Sequence, residues 1–281
     1  MMKWGIYVNL KKKKSFFILI LLATIIIGGV IAVNFEQGAF AADDKSVLNI
    51  PPEQEDIAIP VLGYHSIAND ERDKNPIIIG KKRFRDHMKA IKDSGYTTIT
   101  VGDLDDYLNN KKNLPRKSVL ITFDDGYEDN YLNAYPELKS LNMKATFFVA
   151  PSLLNQHRYM STGEVKELSD NGFDIQSHTE SHVDLTSLDY DKQLEQMKNS
   201  KEEIEKITGK QVISAAYPMG LHNEDTLKAM KECKYSLGLT VNRGFVRKRC
   251  KNKLELNRVL VDYTYSDFSI KRVLFKSYSV S

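Results

Sequence analysis

The chain has 281 residues, of which 42% are hydrophobic and 27% charged, so it is long enough to bury the core of one large domain. Residues 1–41 hold five of the 40 basic and one of the 37 acidic side chains, which leaves 35 basic and 36 acidic side chains in the rest. This near-neutral body excludes a protein that binds nucleic acid through a strong basic excess.

The N-terminal segment has the pattern of an export signal. Lys11–Lys14 precede an uncharged apolar run, Phe16–Val33, and a small-x-small sequence follows at Ala39–Ala41. The run is also long enough to cross a bilayer, so a cleaved signal peptide and an uncleaved membrane anchor both stay open for residues 1–41. The lysines ahead of the run predict that the rest of the chain is exported, either secreted or anchored at the outer face of the cell membrane or in the cell wall. Residues 42–56, which carry acids and prolines, are interpreted as a flexible linker.

Strands and helices are predicted to alternate through residues 57–281, which form one domain. Strands are expected at Ile59–Tyr64, Tyr96–Thr100, Val119–Phe123, Lys144–Val149, Phe173–Gln176, Val212–Tyr217, Ser236–Thr240 and Leu256–Val261. Helices are expected at Lys82–Ser94, Val101–Asn109, Ala134–Leu141, Gly163–Asn171, Asp191–Thr208, Glu224–Cys233 and Asp267–Leu274. Repeated βα units favour an α/β fold with a parallel sheet or barrel and functional groups on the loops after the strands.

Two adjacent acids stand at the end of the most apolar predicted strand. Asp124 and Asp125 are costly to desolvate there unless a positive charge lies beside them, and a divalent metal would supply it. His178 and His182 also follow a predicted strand, and histidines four apart share one face if their segment turns helically. One aspartate and two histidines leave a coordination position open for water, as catalytic zinc sites do, and the second aspartate could then act as a base. The pattern predicts a metal-dependent hydrolase, with zinc as first choice and cobalt, nickel or iron compatible with the same ligands.

Two other classes of function compete with this reading. A glycosidase needs two carboxylates about 5–10 Å apart on either side of a sugar, whereas these acids are neighbours on one backbone. A catalytically silent glycan-binding protein would have no need for a complete set of base, ligands and acid.

The two cysteines, Cys233 and Cys250, lack the spacing of a zinc site, and whether they form a disulfide stays open.

Five motifs in order resemble the polysaccharide deacetylase (NodB-homology) family of carbohydrate esterases. They are Thr122–Gly126, His178–His182, Pro60–Ser66, Ala216–Gly220 and Asn257–Val261, and the similarity runs from about residue 58 to 275. The last three motifs are most similar to the branch that deacetylates poly-β-1,6-N-acetylglucosamine. The resemblance implies a distorted (β/α) barrel of the NodB-homology type behind the N-terminal signal or anchor segment.

The resemblance also implies roles for individual residues. Asp125, His178 and His182 would bind the metal, and Asp124 would be the base that deprotonates the attacking water. His65 would be the acid that protonates the leaving amine, because no histidine follows His222, whereas most of the family takes the acid from a late histidine.

The backbone N–H of Met219 would stabilise the oxyanion, and the neighbouring Tyr217 would either contact the sugar or pack. Arg258 would support the site, by pairing with an acid, while Ala216 replaces an arginine that many relatives use to hold the catalytic aspartate.

The implied substrate is an N-acetylglucosamine-containing polysaccharide. Poly-β-1,6-N-acetylglucosamine is the first expectation, and peptidoglycan, which carries the same N-acetyl group, stays open as the second. The cell membrane is an expected partner if the N-terminal segment is not cleaved, and the oligomeric state is not predicted.

Overall fold

The structure is a computed structural model that describes residues 56–69 and 75–281. The predicted signal or anchor segment and residues 42–55 of the predicted linker lie outside these ranges. Within them, no helix combines the length and apolar character that a membrane span requires.

Ten strands and seven α-helices form the frame of the described residues. The strands are β1 (Val61–Tyr64), β2 (Ser66–Ala68), β3 (Ile78–Gly80), β4 (Thr97–Ile99), β5 (Ser118–Phe123), β6 (Thr146–Val149), β7 (Asp174–Ser177), β8 (Ser214–Ala216), β9 (Leu237–Arg243) and β10 (Leu256–Leu260). The helices are α1 (Lys81–Asp93), α2 (Val101–Leu108), α3 (Tyr135–Ser140), α4 (Thr162–Asp170), α5 (Tyr190–Thr208), α6 (Glu224–Glu232) and α7 (Asp267–Ser279). A π-helical turn, Asn130–Ala134, leads into α3.

Parallel strands close into a barrel, as the resemblance predicted. The strand order is β1-β10-β9-β8-β7-β6-β5, and β5 pairs back onto β1 to complete the ring. Strand β4 pairs with the first half of β5 outside this ring. Because every strand of the ring runs in the same direction, all their carboxyl ends lie at one rim of the barrel.

Side chains of β5 alternate between two apolar clusters. Val119, Ile121 and Phe123 pack with residues of the surrounding helices, such as Phe84 of α1. Leu120 belongs to the other cluster, which gathers buried side chains from several strands of the ring and from α2. The strand is therefore buried on both faces, which explains its nearly continuous apolar sequence.

The predicted elements agree with the structure apart from their ends and three local features. Two short strands, β2 and β3, were not predicted, because three residues each are too few to show an apolar period. The predicted helix at Ala134–Leu141 is shorter as an α-helix and begins as a π-helical turn. The last helix continues five residues beyond the predicted end, to Ser279, and buries Ser277 on its inner face.

Candidate active site

A sharp turn after β5 presents the two adjacent aspartates. Asp125 and Gly126 both have left-handed backbone conformations, with φ of 73° and 79°. Aspartate tolerates this region better than most residues, and glycine adopts it at no steric cost. A Cβ at Gly126 would also lie 3.2 Å from Cγ1 of Val149, so the turn passes close to β6. The sequence Asp-Asp-Gly thus turns immediately at the rim and leaves both carboxylates there.

The two histidines follow β7 in a turn that is not helical, which corrects the expected helical spacing. Thr179 and His182 have left-handed φ values of 62° and 56°, so the segment cannot continue as an α-helix. Side-chain hydrogen bonds hold the turn instead: the backbone N–H of His182 donates to Oγ1 of Thr179 at 3.0 Å, and that of Thr179 donates to Oγ of Ser177 at 3.2 Å. The two rings still come together, with centroids 4.9 Å apart. A left-handed conformation at a β-branched residue is strained, and such strain is often found at functional sites.

Asp125, His178 and His182 form a three-donor cluster whose ligand atoms all lie within 4.8 Å of one another. Oδ1 of Asp125 is buried and accepts no hydrogen bond from the described residues, although Nε2 of His178 and Nε2 of His182 lie only 3.2 and 3.1 Å away. Nδ1 of His178 lies 2.7 Å from the carbonyl oxygen of Ala216 and must be the donor, because a carbonyl only accepts. A neutral His178 therefore turns an Nε2 lone pair towards a carboxylate oxygen. Lone pairs that face each other repel unless a cation lies between them, so these residues fit a divalent metal ion.

The protonation of this cluster is coupled to metal binding. Burial alone would raise the pKa of Asp125, but His178 and His182 outweigh it and hold that pKa far below its ordinary value. Burial alone would lower the pKa of His178, but the nearby carboxylates raise it. An ionised carboxylate binds a cation directly, whereas a protonated imidazole must lose its proton first.

Asp124 forms a buried, two-pronged ion pair with Arg258. Nη1 and Nη2 of Arg258 each lie 2.8 Å from one carboxylate oxygen, and its Nε donates to the carbonyl oxygen of Thr240 at 2.9 Å. Side-chain exposure is only 1% for the arginine and 3% for the aspartate. Burial alone would raise the pKa of Asp124, but Arg258 outweighs it and lowers that pKa below its ordinary range. The acid partner that was left open for Arg258 is therefore Asp124.

His65 follows β1 and faces the same carboxylate. Its Nε2 lies 3.9 Å from Oδ2 of Asp124, and 18% of its side chain is exposed. Burial lowers the pKa of His65 despite the two nearby aspartates, which act in the opposite direction. A histidine that is mostly buried beside a carboxylate, with one side open to solvent, can exchange a proton with a bound substrate.

Three polar residues that were not predicted hold the segment after β1. Asp129 accepts from the Ser66 hydroxyl and from the Ile67 backbone N–H, at 2.5 and 3.0 Å. Asn130 donates to the carbonyl oxygen of His65 at 2.7 Å. The third residue, Asn133, donates to the Ile67 carbonyl oxygen at 2.7 Å. These contacts connect the turn that carries Asp124 to the segment that carries His65. The only signal for them in the sequence was the presence of polar residues in a segment that proves to be helical and buried.

The segment after β8, which carries Tyr217 and Met219, lies at the rim of the barrel. Tyr217 is fully buried, its hydroxyl donates to the Leu254 carbonyl oxygen at 2.7 Å, and its ring stacks on His222. Its side chain therefore packs, which is the second of the two alternatives given above. Met219 is 56% exposed and adopts a left-handed φ of 57°. The following Gly220 has no room for a side chain, because a Cβ would lie 2.4 Å from Val241.

The structure answers whether the two cysteines form a disulfide. Cys233 and Cys250 are both free thiols of intermediate exposure. Burial raises the pKa of each thiol, which disfavours the reactive thiolate form.

Comparison with known proteins agrees with this fold and with the predicted family. The sequence pattern of the polysaccharide deacetylase family matches residues 111–238. YxkH of Bacillus subtilis, which bears the name of the same enzyme family, is 37% identical over 203 residues, covering 72% of this chain and 71% of the relative. The chain belongs to the polysaccharide deacetylase family.

Relatives with named substrates differ in the polymer. The peptidoglycan-N-acetylmuramic acid deacetylase PdaA of Bacillus subtilis is 34% identical over 46% of this chain and 47% of its own length. The poly-β-1,6-N-acetyl-D-glucosamine N-deacetylase of Staphylococcus aureus is 26% identical over 69% of this chain and 71% of its own length.

The fold is also that of a solved deacetylase. The Streptococcus pyogenes deacetylase PplD, determined in complex with acetate, superposes with a TM-score of 0.74 and is 30% identical. The match covers 78% of this chain and 99% of PplD. The matched region makes up nearly all of the solved PplD chain, so a chain of that extent folds as this barrel.

Proposed function

We propose that this deacetylase removes N-acetyl groups from N-acetylglucosamine residues of an extracellular polysaccharide, with poly-β-1,6-N-acetylglucosamine as the first candidate. The observation that carries the proposal is the convergence of both imidazole Nε2 atoms on the unpaired Oδ1 of Asp125, next to the buried Asp124. The choice of polymer rests on the Staphylococcus aureus relative and on the position of His65, directly after β1 and 3.9 Å from Asp124.

Each residue of the site has a distinct part in amide hydrolysis. Asp125, His178 and His182 would hold a divalent ion, zinc in the first place with cobalt, nickel or iron as alternatives, which would polarise the amide carbonyl and make water more acidic. Asp124 takes the proton of the attacking water. Its pairing with Arg258 keeps it ionised, and so able to accept that proton, even though it is buried.

The leaving amine needs a proton, and His65 is the proposed donor. Strand β1, which His65 follows, pairs directly with β5, whose end carries Asp124, so both residues lie at the same rim of the barrel. The backbone N–H of Met219 is the proposed donor to the oxyanion of the tetrahedral intermediate, as the resemblance implies.

Peptidoglycan is the second candidate polymer. The similarity to PdaA favours peptidoglycan, because its sequence identity is higher than that of the Staphylococcus aureus relative. The match to PdaA is shorter, however, and covers less than half of either chain. The complete set of acid, base and metal donors argues against the third possibility, a catalytically silent glycan-binding protein.

Acetate release tests the reaction and the polymer together. Residues 42–281 are purified, stripped of metal, and assayed with and without zinc on β-1,6-linked N-acetylglucosamine oligomers and on peptidoglycan fragments. The variants are Asp124→Asn and His65→Ala, with Asp170→Asn, a 55% exposed aspartate on α4, as the matched control. The proposal expects zinc-dependent release from the β-1,6 oligomers that both site variants lose and the control keeps.

Other outcomes would change the conclusion in defined ways. Release from peptidoglycan fragments alone would retain the chemistry and replace the polymer. Bound metal without release from either substrate would favour the silent glycan-binding protein.

A further inference from the structure

The solvent-facing side of α7 has phenylalanines where a surface helix ordinarily has polar residues. Phe268 and Phe275 are 70% and 72% exposed. They are seven residues apart, so they lie on the same stripe of the helix, about 10 Å from each other. Ile270, Val273 and Leu274 form the buried side of the same helix. The helix thus has one apolar face in the core and a second, aromatic one in solvent.

Cations flank this aromatic stripe. Lys271, Arg272 and Lys276 occupy positions next to the phenylalanines on the helical wheel, against one acid on the helix, Asp267, which pairs with Lys271 at 3.3 Å. A groove of about 550 Å³ runs beside Phe268, and Arg272 and Lys276 line it.

Strand β9 and the loop after it supply the other wall of this groove. Arg243 and Phe245 lie there, so cationic and aromatic side chains line both sides. The groove combines apolar walls with positive charge, which suits the boundary between lipid headgroups and acyl chains.

The start of the described domain lies at the C-terminal end of α7. The backbone N–H of Ala58 donates to Oγ of Ser281 at 2.9 Å, and Arg247 donates to the carbonyl oxygen of Asp56 at 3.1 Å. The apolar run Phe16–Val33 precedes Asp56 by little more than twenty residues. A membrane that holds this run is therefore within reach of the α7 face.

We propose that the α7 face docks on an anionic lipid surface, with Phe268 and Phe275 inserted at the headgroup level and the flanking cations on lipid phosphates. Aromatic side chains between lysines and arginines are the composition of interfacial helices. Each cation near an anionic surface strengthens binding about fivefold, and a neutral glycan would leave that charge unused. None of the proposed catalytic and metal-binding residues lies on α7 or lines the groove beside it.

Vesicle binding tests this surface without the N-terminal run. Residues 42–281 are sedimented with vesicles of phosphatidylcholine alone and with vesicles that contain 30% phosphatidylglycerol. The variants are Phe268→Ser with Phe275→Ser, and Arg272→Glu with Lys276→Glu.

Matched controls are Leu132→Ser, a 54% exposed apolar residue, and Lys192→Glu with Lys198→Glu on α5, whose side chains are 65% and 63% exposed. All variants are also assayed for acetate release from soluble oligomers and for their sedimentation coefficient in the absence of lipid.

The proposal expects binding to the anionic vesicles only. The phenylalanine variant should bind at least tenfold more weakly, since about 1.4 kcal/mol of lost apolar burial suffices for that factor. The charge variant should lose about fivefold per cation removed, while both controls bind as the parent does. Acetate release from soluble oligomers should be unchanged in every variant.

Three results would overturn it. They are absence of binding by the parent, equal binding by the parent and both α7 variants, and equal binding to vesicles with and without anionic lipid. A parent that dimerises without lipid, with the phenylalanine variant monomeric, would also overturn it and assign the face to a second copy of this chain.

Discussion

Replacing Arg258 by methionine tests how the barrel keeps a buried carboxylate ionised. The substitution retains much of the apolar length of the side chain but removes both hydrogen bonds to Asp124 and the bond to Thr240. Asp124 is left almost fully buried without its counter-charge. Removal of one partner of a buried ion pair costs about 3–5 kcal/mol, a large part of the stability of an ordinary domain.

The sign of the pH dependence follows from the pKa of Asp124. In the parent, this pKa is lowered, so the pair stabilises the fold above the unfolded value of about 3.9 and loses its effect as the pH falls through the folded value. In the variant, the pKa rises because only His178 and His65 still oppose the effect of burial, and the charged form destabilises the fold until it is protonated. The stability difference between parent and variant should therefore be largest near neutral pH and shrink as the pH falls towards about 4.

Urea unfolding in the presence of a chelator measures this difference without a contribution from bound metal. The double variant, Arg258→Met with Asp124→Asn, completes a thermodynamic cycle. It should lose less stability than the two single variants lose together. The acid limb of kcat/KM, measured with metal, should move to higher pH in Arg258→Met. A loss below about 1 kcal/mol, or a difference that does not change with pH, would refute the reasoning.

Three further substitutions test other parts of the site. Gly63→Ala places a Cβ 2.7 Å from a side-chain carbon of the neighbouring strand β10, so we expect a loss of about 1–3 kcal/mol in urea unfolding; an unchanged midpoint would contradict this. Asp129→Ala frees the segment that carries His65, so kcat should fall roughly ten- to a hundredfold with little change in metal affinity, measured by acetate release and metal titration; an unchanged kcat would separate that segment from catalysis. Tyr217→Phe removes a buried hydrogen bond to Leu254, so we expect a loss of about 1 kcal/mol with kcat/KM unchanged; a fall in kcat/KM would give Tyr217 a part in the reaction.

The parallel strands and the candidate metal donors could be predicted from local sequence, whereas the closed barrel was implied by the family resemblance. The β5 strand is an uninterrupted apolar run that ends at two acids, and its six residues are all buried. Once strands are parallel, residues that follow them meet at one rim, whatever the details of the loops. That rule brings Asp125 together with His178 and His182 although their turn is not helical.

The features that escaped prediction depend on contacts between distant segments or on unfavourable backbone geometry. A left-handed Thr179 is unexpected because β-branched residues disfavour that region, so the sequence indicates an ordinary helical turn there. The bonds from Asp129 and Asn130 to the segment after β1 join residues more than sixty positions apart. Nothing in the spacing of polar residues specifies such partners.

The arginine that holds Asp124 shows how such distant contacts depend on one another. The family resemblance leads us to expect an arginine at the position of Ala216, but this residue contributes its carbonyl oxygen, which accepts the hydrogen bond of His178. The guanidinium of Arg258 comes instead from β10, across the face of β1. A Cβ at Gly63 would lie at an ordinary contact distance, 3.4 Å, from Nη1 of Arg258, but only 2.7 Å from Cδ2 of Leu260 on the same strand β10. A substitution at Gly63 should thus displace β10 and, with it, the guanidinium that holds Asp124.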